Sequence, residues 1–224
     1  MDPVPDLFDA IRTGDVAKVR DVLSADAALV DARNAQGQSA VLMACYMGRK
    51  EIRDLLLEKG ATLQLHEAAA AGNLSRVKKI VEEKPDLAKG YSPDGFPVMA
   101  LAAAFGHEDV ARYLHGQGAD INATATNGTG YTALTGAVAG SHGSIVKWLA
   151  ENGANVNYRY AKGHSPLLEA AANGRLDIVR TLAAHGADLH ARTDAGKNAL
   201  NFAEERGHKE VAEFLVGQGC AGAD

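Results

Sequence analysis

The sequence predicts an all-α fold in which about seven helix-turn-helix units stack as a solenoid. Three observations predict it: an apolar pair that recurs about every 33 residues, glycines that close the helical segments, and packing residues that are mostly small. The recurring pairs are Val19/Leu23, Ile52/Leu56, Val77/Val81, Val110/Leu114, Ile145/Leu149, Ile178/Leu182 and Val211/Leu215. Their first members are separated by 33, 25, 33, 35, 33 and 33 residues. This period indicates a stacked array in which each unit buries its apolar face on its neighbours.

The composition favours close helix packing and argues against several classes of protein. Hydrophobic residues make up 46% of the 224 residues and aromatic residues 5%, so Ala, Leu and Val supply most of the packing. Phosphate binding rests on clustered basic side chains, and with a net charge of −5 and no such cluster we expect no nucleic-acid partner. No apolar run approaches the length of about 18 residues that a membrane span needs. Residues 1–5 also lack the basic start and apolar run of a secretory signal.

The two cysteines favour a cytoplasmic protein. Cys45 and Cys220 lie in the second and last repeats, too far apart in an array to pair, and free thiols suggest a reducing compartment. We expect Cys45 to be a buried packing residue and Cys220 to be partly exposed. We further expect a monomer, and the short tail after Gly217 favours a complete chain.

The cleanest copy of the unit spans residues 163–188. Ser165 can cap a helix that begins at Pro166, because a hydroxyl before a proline is a helix-start signal. Gly174 ends this helix and Gly186 ends the next one, since glycine tolerates the left-handed conformation at a helix end. The apolar positions are Leu167, Ala170 and Ala171 in the first helix and Ile178, Val179 and Leu182 in the second.

This unit resembles the ankyrin repeat, whose pattern is Gly-x-Thr-Pro-Leu-His-x-Ala-Ala, a Gly-His pair, Ile-Val-x-x-Leu-Leu and a closing Gly-Ala-Asp. Further copies include Gly130-Tyr131-Thr132-Ala133-Leu134, Gly106-His107, Gly118-Ala119-Asp120 and Gly207-His208. The resemblance covers nearly the whole chain and implies one domain over residues 1–224, with short β-turn fingers. The predicted units are residues 5–33, 34–63, 64–90, 91–123, 124–157, 158–191 and 192–224.

Two irregular spacings predict local departures. The step of 25 indicates that the third unit has lost its β-turn, so we expect a weak point there, with units one to three and four to seven opening separately. The step of 35 indicates two extra residues, which we place near Asn127 and near Ser141. Leu29 and Leu87 match at a longer step of 58, and we expect each leucine to plug its own loop into the array.

The histidines do not predict catalysis or a metal site. In the resemblance, His107 and His208 hold the Gly-His position, with His142 near it, where a histidine bonds the local backbone. His66 holds the family's Pro-Leu-His position, which is also structural. No two histidines share metal-ligand spacing with a cysteine or a carboxylate. We therefore expect no metal, no cofactor and no catalytic residue. We expect Trp148 to pack between units.

The predicted function is a non-catalytic protein-interaction scaffold. The resemblance implies that a protein partner binds on the concave face and the β-turn tips, and aromatic side chains fall on these positions although they are scarce overall. Tyrosine and arginine are typical interface anchors. The predicted partner-binding residues are Tyr46, Met47, Tyr91, Phe96, Phe105, Tyr131, Tyr158, Arg159, Tyr160 and His164.

Two alternatives stay open: a small-ligand-binding or enzymatic accessory protein, and a structural fragment or engineered array. The irregular steps argue against a consensus design, whose units would be uniform. The aromatic side chains also allow a second interpretation, in which the rings fold onto neighbouring turns. Burial of Tyr46, Phe105, Tyr131 and Tyr160 within the monomer would remove the support for a binding groove.

Overall fold

A computed structural model describes residues 3–221, which form seven consecutive pairs of α-helices. The pairs are α1 Pro3–Thr13 and α2 Val16–Ala25, α3 Ala40–Tyr46 and α4 Lys50–Glu58, α5 Leu65–Ala71 and α6 Leu74–Glu83, α7 Val98–Ala104 and α8 Glu108–Gly116, α9 Ala133–Ala139 and α10 Gly143–Glu151, α11 Pro166–Ala172 and α12 Leu176–Ala184, and α13 Ala199–Glu205 and α14 Lys209–Gly217. Short 3-10 turns occupy Ala27–Asp31, Pro85–Lys89 and Ala161–Gly163. The all-helical prediction is confirmed for this part of the chain; residues 1–2 of the predicted acidic start and residues 222–224 of the tail lie outside it.

The first helices of most pairs begin at a side chain that caps them. Ser39, Thr132, Ser165 and Asn198 each accept a hydrogen bond from a backbone N–H one turn into the helix. Such a cap satisfies one of the N–H groups that a helix start leaves without an internal partner. These caps help to fix where α3, α9, α11 and α13 start.

The core runs along the whole array. All residues of the seven predicted apolar pairs are buried, which confirms the sequence periodicity. Trp148 is also buried, with its ring edge-on to His115 at 5.7 Å between centroids and the Arg112 guanidinium 4.9 Å from its ring centre. His115 and Arg112 lie on α8 and Trp148 on α10, so the tryptophan packs between neighbouring units as expected.

Side chains that follow the end of a first helix bond to the preceding unit. The His107 Nε2 atom lies 3.1 Å from the Ala70 carbonyl oxygen, and since a carbonyl can only accept, Nε2 carries the proton. We call these contacts the cross-unit bonds. They run from His107 to Ala70, His142 to Ala104, His208 to Ala172, Arg49 to Arg12 and Arg175 to Ser141. The expectation of local backbone bonding was therefore wrong, because the histidine rings reach across to the carbonyl end of the neighbouring first helix.

The junction before α5 differs from the others. Asn73 holds the corresponding position, and its side chain accepts from the Arg76 backbone N–H at 3.0 Å, capping its own helix. The connection over residues 59–64 is short, whereas the fingers nearby are closed by the bridges Arg33/Ser39 and Tyr91/Pro97. The third pair of helices therefore lacks a finger, as the step of 25 predicted.

The missing finger leaves open space on both sides of its short connection. A cleft of about 540 Å³ lies between residues 62–66, α6 and the start of the next finger. A second cleft of about 250 Å³ lies between the connection and the finger that precedes it. Leu87 lines the larger cleft and is 40% exposed, while Ala88 is only 1% exposed. The predicted plugging role of Leu87 is wrong, because the 3-10 turn directs Ala88 inward instead.

Both extra residues of the long step lie ahead of α9. The helices α7 and α9 begin at residues 98 and 133, which are 35 residues apart, and α8 and α10 begin at 108 and 143, also 35 apart. The distance from the first helix to the second is therefore the same in both units, and the extra residues precede α9. The insertion predicted near Ser141 is therefore wrong, and the extra length falls in residues 117–132. Ser141 instead adopts a left-handed φ of 61° after the end of α9.

Both thiols are buried. Cys45 is 8% exposed, and burial is the main reason why its pKa is raised to about 12. Such a thiol is protonated at neutral pH, which suits a packing residue. Cys220 is 5% exposed and its thiol donates to the Leu189 carbonyl oxygen at 3.4 Å, so its predicted partial exposure was wrong.

Candidate partner-binding surface

The ten predicted binding residues all keep part of their surface open to solvent. Met47 and Tyr91 are 42% and 45% exposed, and Arg159 is also exposed. The other seven are half-buried. The burial that would have removed support for a groove is not observed, although half-buried rings also contact their own chain.

Six connected rings, five in a line and Tyr158 stacked beside Tyr160, form what we call the aromatic row. Its members are Phe96, Tyr131, Tyr158, Tyr160, His164 and Phe202. Neighbouring ring centres lie 5.6 to 6.4 Å apart, from Phe96 against Tyr131 at one end to His164 against Phe202 at the other. These separations are typical of aromatic pairs that stabilise one another. The row runs from the finger before α7 to α13.

Tyr46 and Phe105 form a second aromatic contact, with ring centres 5.7 Å apart. Tyr46 ends α3 and Phe105 follows α7, so the contact passes over the third pair of helices. The Tyr46 hydroxyl also donates to Asp94 Oδ2 at 2.6 Å. Two features leave room for Tyr46 to contact Phe105 across the third pair. The end of α5 carries the small buried residues Ala70 and Ala71, and no finger precedes that helix.

The pair and the row meet around an apolar pocket of about 330 Å³, which we call the aromatic pocket. Tyr46, Phe105, Phe96 and Tyr131 contribute its rings. The remaining lining residues are Ala100, Leu101 and Ala104 from α7 together with Thr132 and Gly136. The small residues on α7 and α9 make the space that the rings enclose. No lining residue is charged. The pocket can therefore bind apolar groups, or a cation that lies against the faces of its rings.

Two carboxylates hold the tyrosine hydroxyls beside the pocket. The Tyr160 hydroxyl donates to the Glu169 carboxylate, as the Tyr46 hydroxyl does to Asp94. Burial is the main cause of a raised pKa for Tyr46 and for Tyr160, and the neighbouring carboxylates raise both further. Burial and Glu169 also raise the pKa of Tyr131. The phenols therefore stay protonated at neutral pH, and those of Tyr46 and Tyr160 act as fixed donors.

Three predicted residues lie outside this arrangement. Tyr91 lines the 540 Å³ cleft left by the missing finger. Arg159 Nη2 donates to the Arg192 carbonyl oxygen at 2.8 Å, linking two fingers of the same chain. Met47 is exposed next to Tyr46 in the chain and does not line the aromatic pocket.

A buried charge near the missing finger was not anticipated. Glu67 is fully buried; its Oε2 accepts from the Gln64 backbone N–H at 2.8 Å, and its Oε1 lies 3.0 Å from Arg33 Nη2. That ion pair is not aligned as a hydrogen bond. Burial lowers the pKa of the neighbouring His66, which favours its neutral form. The spacing from Gln64 to Glu67 is a capping-box signal that could have placed this carboxylate at a helix start.

Further residues of the aromatic surface were also missed. Asp94, Glu169 and Phe202 take part in it but were not among the predicted binding residues. Asp94 lies in an Asp-Gly turn, which predicts a finger tip, but its tyrosine partner is 48 residues away in the chain. Pairing over that distance has no local sequence signal.

The described residues contain neither a helix long and apolar enough to cross a membrane nor a group of side chains with the makeup of a metal site. Among residues 3–221, no helix combines the length and the apolar character that crossing a membrane requires. In the same part of the chain, His, Cys, Asp and Glu side chains form no group of three or more that could hold a metal ion. The aromatic surface offers rings, carboxylates and apolar side chains.

Comparison with known proteins places the sequence among repeat proteins. A family described as "Ankyrin repeats (3 copies)" matches residues 65–160 and 155–224. The human "Ankyrin repeat domain-containing protein 63" is 39% identical over 158 residues, covering 63% of this chain and 41% of that protein. The Drosophila melanogaster "Ankyrin repeat and KH domain-containing protein mask" is 33% identical over 129 residues, covering 58% of this chain and 3% of that protein. The Rattus norvegicus "Ankyrin repeat and SAM domain-containing protein 6" is 29% identical over 130 residues, covering 58% of this chain and 12% of that protein. The chain thus spans less than half the length of each of these relatives.

Proposed function

Because this chain belongs to the ankyrin-repeat family, we propose that it is a protein-interaction module that binds a protein segment along its aromatic surface. The ends of the first helices and the fingers form this surface, which corresponds to the concave face of such arrays. The aromatic row and the Tyr46–Phe105 pair supply the anchors. The partner lies across units two to seven, with one side chain in the aromatic pocket.

One observation carries this proposal: partly exposed rings from separate units converge on an apolar pocket of about 330 Å³. Interface energy concentrates on a few aromatic anchors that are surrounded by weaker contacts. The hydroxyls of Tyr46 and Tyr160 are each held by a carboxylate. Rings fixed in this way lose little conformational freedom on binding, which favours affinity.

The test is a paired pull-down from source-cell lysate, read by mass spectrometry. One bait is the intact chain and the second carries Tyr46, Phe105, Tyr131 and Tyr160 changed to Ala. We expect a protein that the first bait recovers to be lost from the second. Since that variant also removes two hydrogen bonds, a gentler bait with only Phe105→Ala and Tyr131→Ala keeps both tyrosine–carboxylate contacts.

A matched control replaces rings elsewhere on the same chain. Tyr113→Ala and Phe214→Ala alter two half-buried rings on the second helices α8 and α14. Circular dichroism checks that all baits keep the helical fold. Recovery that drops equally for the control and the Phe105/Tyr131 bait would contradict binding at the aromatic surface, and so would recovery that neither bait changes.

A further inference from the structure

Two carboxylates beside the aromatic pocket form no ion pair among the described residues. Asp94 accepts from the hydroxyl of the lining residue Tyr46 at 2.6 Å, and Glu169 accepts from Tyr160, whose ring lies 5.8 Å from that of Tyr131. Among the described residues, the ion pairs of the chain involve neither carboxylate. The tyrosine hydroxyls hydrogen-bond to these groups without removing their charge.

Rings elsewhere in the chain already hold cations. Over residues 3–221, cation–π contacts join Lys78 to Tyr113, Arg112 to Trp148, Arg180 to Phe214 and Lys197 to Phe202. None of these rings belongs to the aromatic pocket, whose four rings hold no cation of their own chain.

At the Phe202 end of the aromatic row, a lysine lies between a ring and a carboxylate. The Lys197 ammonium lies 5.9 Å from the centre of the Phe202 ring and 2.8 Å from a Glu205 carboxylate oxygen. A cation is thus held between a ring and a carboxylate. The pocket is lined by four rings, and a carboxylate bonds the hydroxyl of the lining residue Tyr46 and another that of the neighbouring Tyr160.

We propose that the aromatic pocket receives a lysine or arginine side chain from a basic segment of the protein partner. This rests on the proposed function, because it names the chemistry of the partner at the same surface. The aliphatic stem packs against Ala100 and Ala104, and the charged end lies against the rings with Asp94 and Glu169 nearby. Cation–π attraction is strongest where the cation loses water. The net charge of −5 also favours approach of a basic segment.

The first experiment titrates the full chain with three short peptides followed by NMR. The probes are Ac-Gly-Arg-Gly-NH2, Ac-Gly-Citrulline-Gly-NH2, which has a similar shape without the charge, and Ac-Gly-Leu-Gly-NH2. The signals are the methyl groups of Ala100 and Ala104 and the rings of Tyr46 and Tyr131. We expect the arginine peptide to shift these signals with a Kd on the order of 1 mM, because a single anchor binds weakly. The citrulline and leucine peptides should shift them much less.

The charge is tested with Asp94→Asn and Glu169→Gln together. Both replacements keep an oxygen that accepts the tyrosine hydroxyl, so the rings stay in place. We expect the arginine peptide to bind about three- to tenfold more weakly, as partly exposed charges contribute modestly. Glu82→Gln with Glu204→Gln removes the same charge from exposed positions and should leave the binding nearly unchanged.

The outcomes separate this inference from the proposed function. Equal or larger shifts with the leucine peptide, no shift with the arginine peptide, or unchanged binding in the Asp94/Glu169 variant would overturn the cationic anchor. A partner that is lost from the Phe105/Tyr131 bait but fully recovered by the Asp94/Glu169 variant would leave the proposed function standing and contradict the inference alone.

Discussion

At the scale of single residues, Arg33 has two roles at the edge of the missing finger. Its Nη1 donates to the Gly37 carbonyl oxygen at 2.9 Å, and its Nη2 pairs with the fully buried Glu67 at 3.0 Å. The last finger is closed in the same way, with Arg192 Nη1 donating to the Gly196 carbonyl oxygen at 2.7 Å. In each case an arginine donates to a carbonyl oxygen of its own finger, and within residues 3–221 no finger of a following unit packs beside it.

We expect Arg33→Met to lower the free energy of unfolding by about 2–3 kcal/mol, because it leaves a buried carboxylate without its cation. The partial exposure of Arg33 keeps the loss below that of a fully buried pair. Urea unfolding followed by circular dichroism measures it.

Arg192→Met is the matched control, since Arg192 caps a finger without pairing to a buried carboxylate. It should cost less than about 1 kcal/mol, the value of an ordinary exposed hydrogen bond. Adding Glu67→Gln to Arg33→Met should recover much of the stability. Equal losses for Arg33→Met and Arg192→Met would show that Glu67 does not depend on its ion pair.

At the scale of elements, the cross-unit bonds explain why glycine ends the first helices. A Cβ atom at Gly72 would lie 2.3 Å from the His107 ring, and one at Gly174 would lie 2.5 Å from the His208 ring. The histidine of one unit therefore packs directly on the glycine of the unit before it. The Gly-His pattern is a contact between units that the sequence displays as a local motif.

We expect Gly72→Ala to destabilise the chain more than Gly186→Ala does. Both glycines have a positive φ, of 74° and 83°, but nothing lies within 4 Å of a Cβ at Gly186. Gly186→Ala should therefore cost only the left-handed backbone penalty of about 1 kcal/mol. Gly72→Ala should cost about 1–3 kcal/mol more, as an overpacked contact does.

The double variant with His107→Ala isolates the contact. It removes the ring that a Cβ at residue 72 would meet, so the two substitutions should cost less together than the sum of their separate effects. Urea unfolding of the four variants gives the coupling. Additive losses would mean that the backbone conformation alone requires glycine at position 72.

At the scale of the whole molecule, the junction between the second and third pairs differs from the others in the part of the chain that the structure describes. Between α3–α4 and α5–α6 the cross-unit bond is missing, because Asn73 caps its own helix, and the finger is missing too. We therefore expect the boundary between opening units to lie between the second and third pairs, one junction earlier than the sequence suggested, with the Arg33–Glu67 ion pair as a remaining link across it. Tyr46 partly compensates by reaching Asp94 and Phe105 beyond the third pair.

We expect hydrogen exchange to show that α1–α4 open before α5–α14. Stability in stacked arrays depends on contacts between neighbours, so a poor junction divides the opening units. Tyr46→Phe keeps the ring and removes the bond to Asp94, which should lower the protection of α1–α4 by about 1 kcal/mol. Mass spectrometry of peptides after exchange measures the protection of each helix in the original protein and in the Tyr46→Phe variant. A single cooperative opening, unchanged by Tyr46→Phe, would contradict a weak junction.

The sequence by itself determined the architecture, because repetition is a local signal that recurs in register. The buried pairs such as Ile178 and Leu182, the caps such as Ser165, and the loss of the third finger all follow from spacing alone. The position of Trp148 between units could also be predicted, since one face of a second helix must meet the neighbouring helix.

Only the tertiary structure decided how distant units meet. The sequence predicted that Tyr46, Phe105 and Tyr131 would lie on the open face; their shared pocket depends on small residues of α7 and α9 and on a finger that is absent. The pairing of Arg33 with Glu67 and of Tyr46 with Asp94 likewise joins residues from different units. Spacing within one repeat fixes the direction of a side chain along its helix, whereas its contacts depend on the size and shape of the neighbouring repeats.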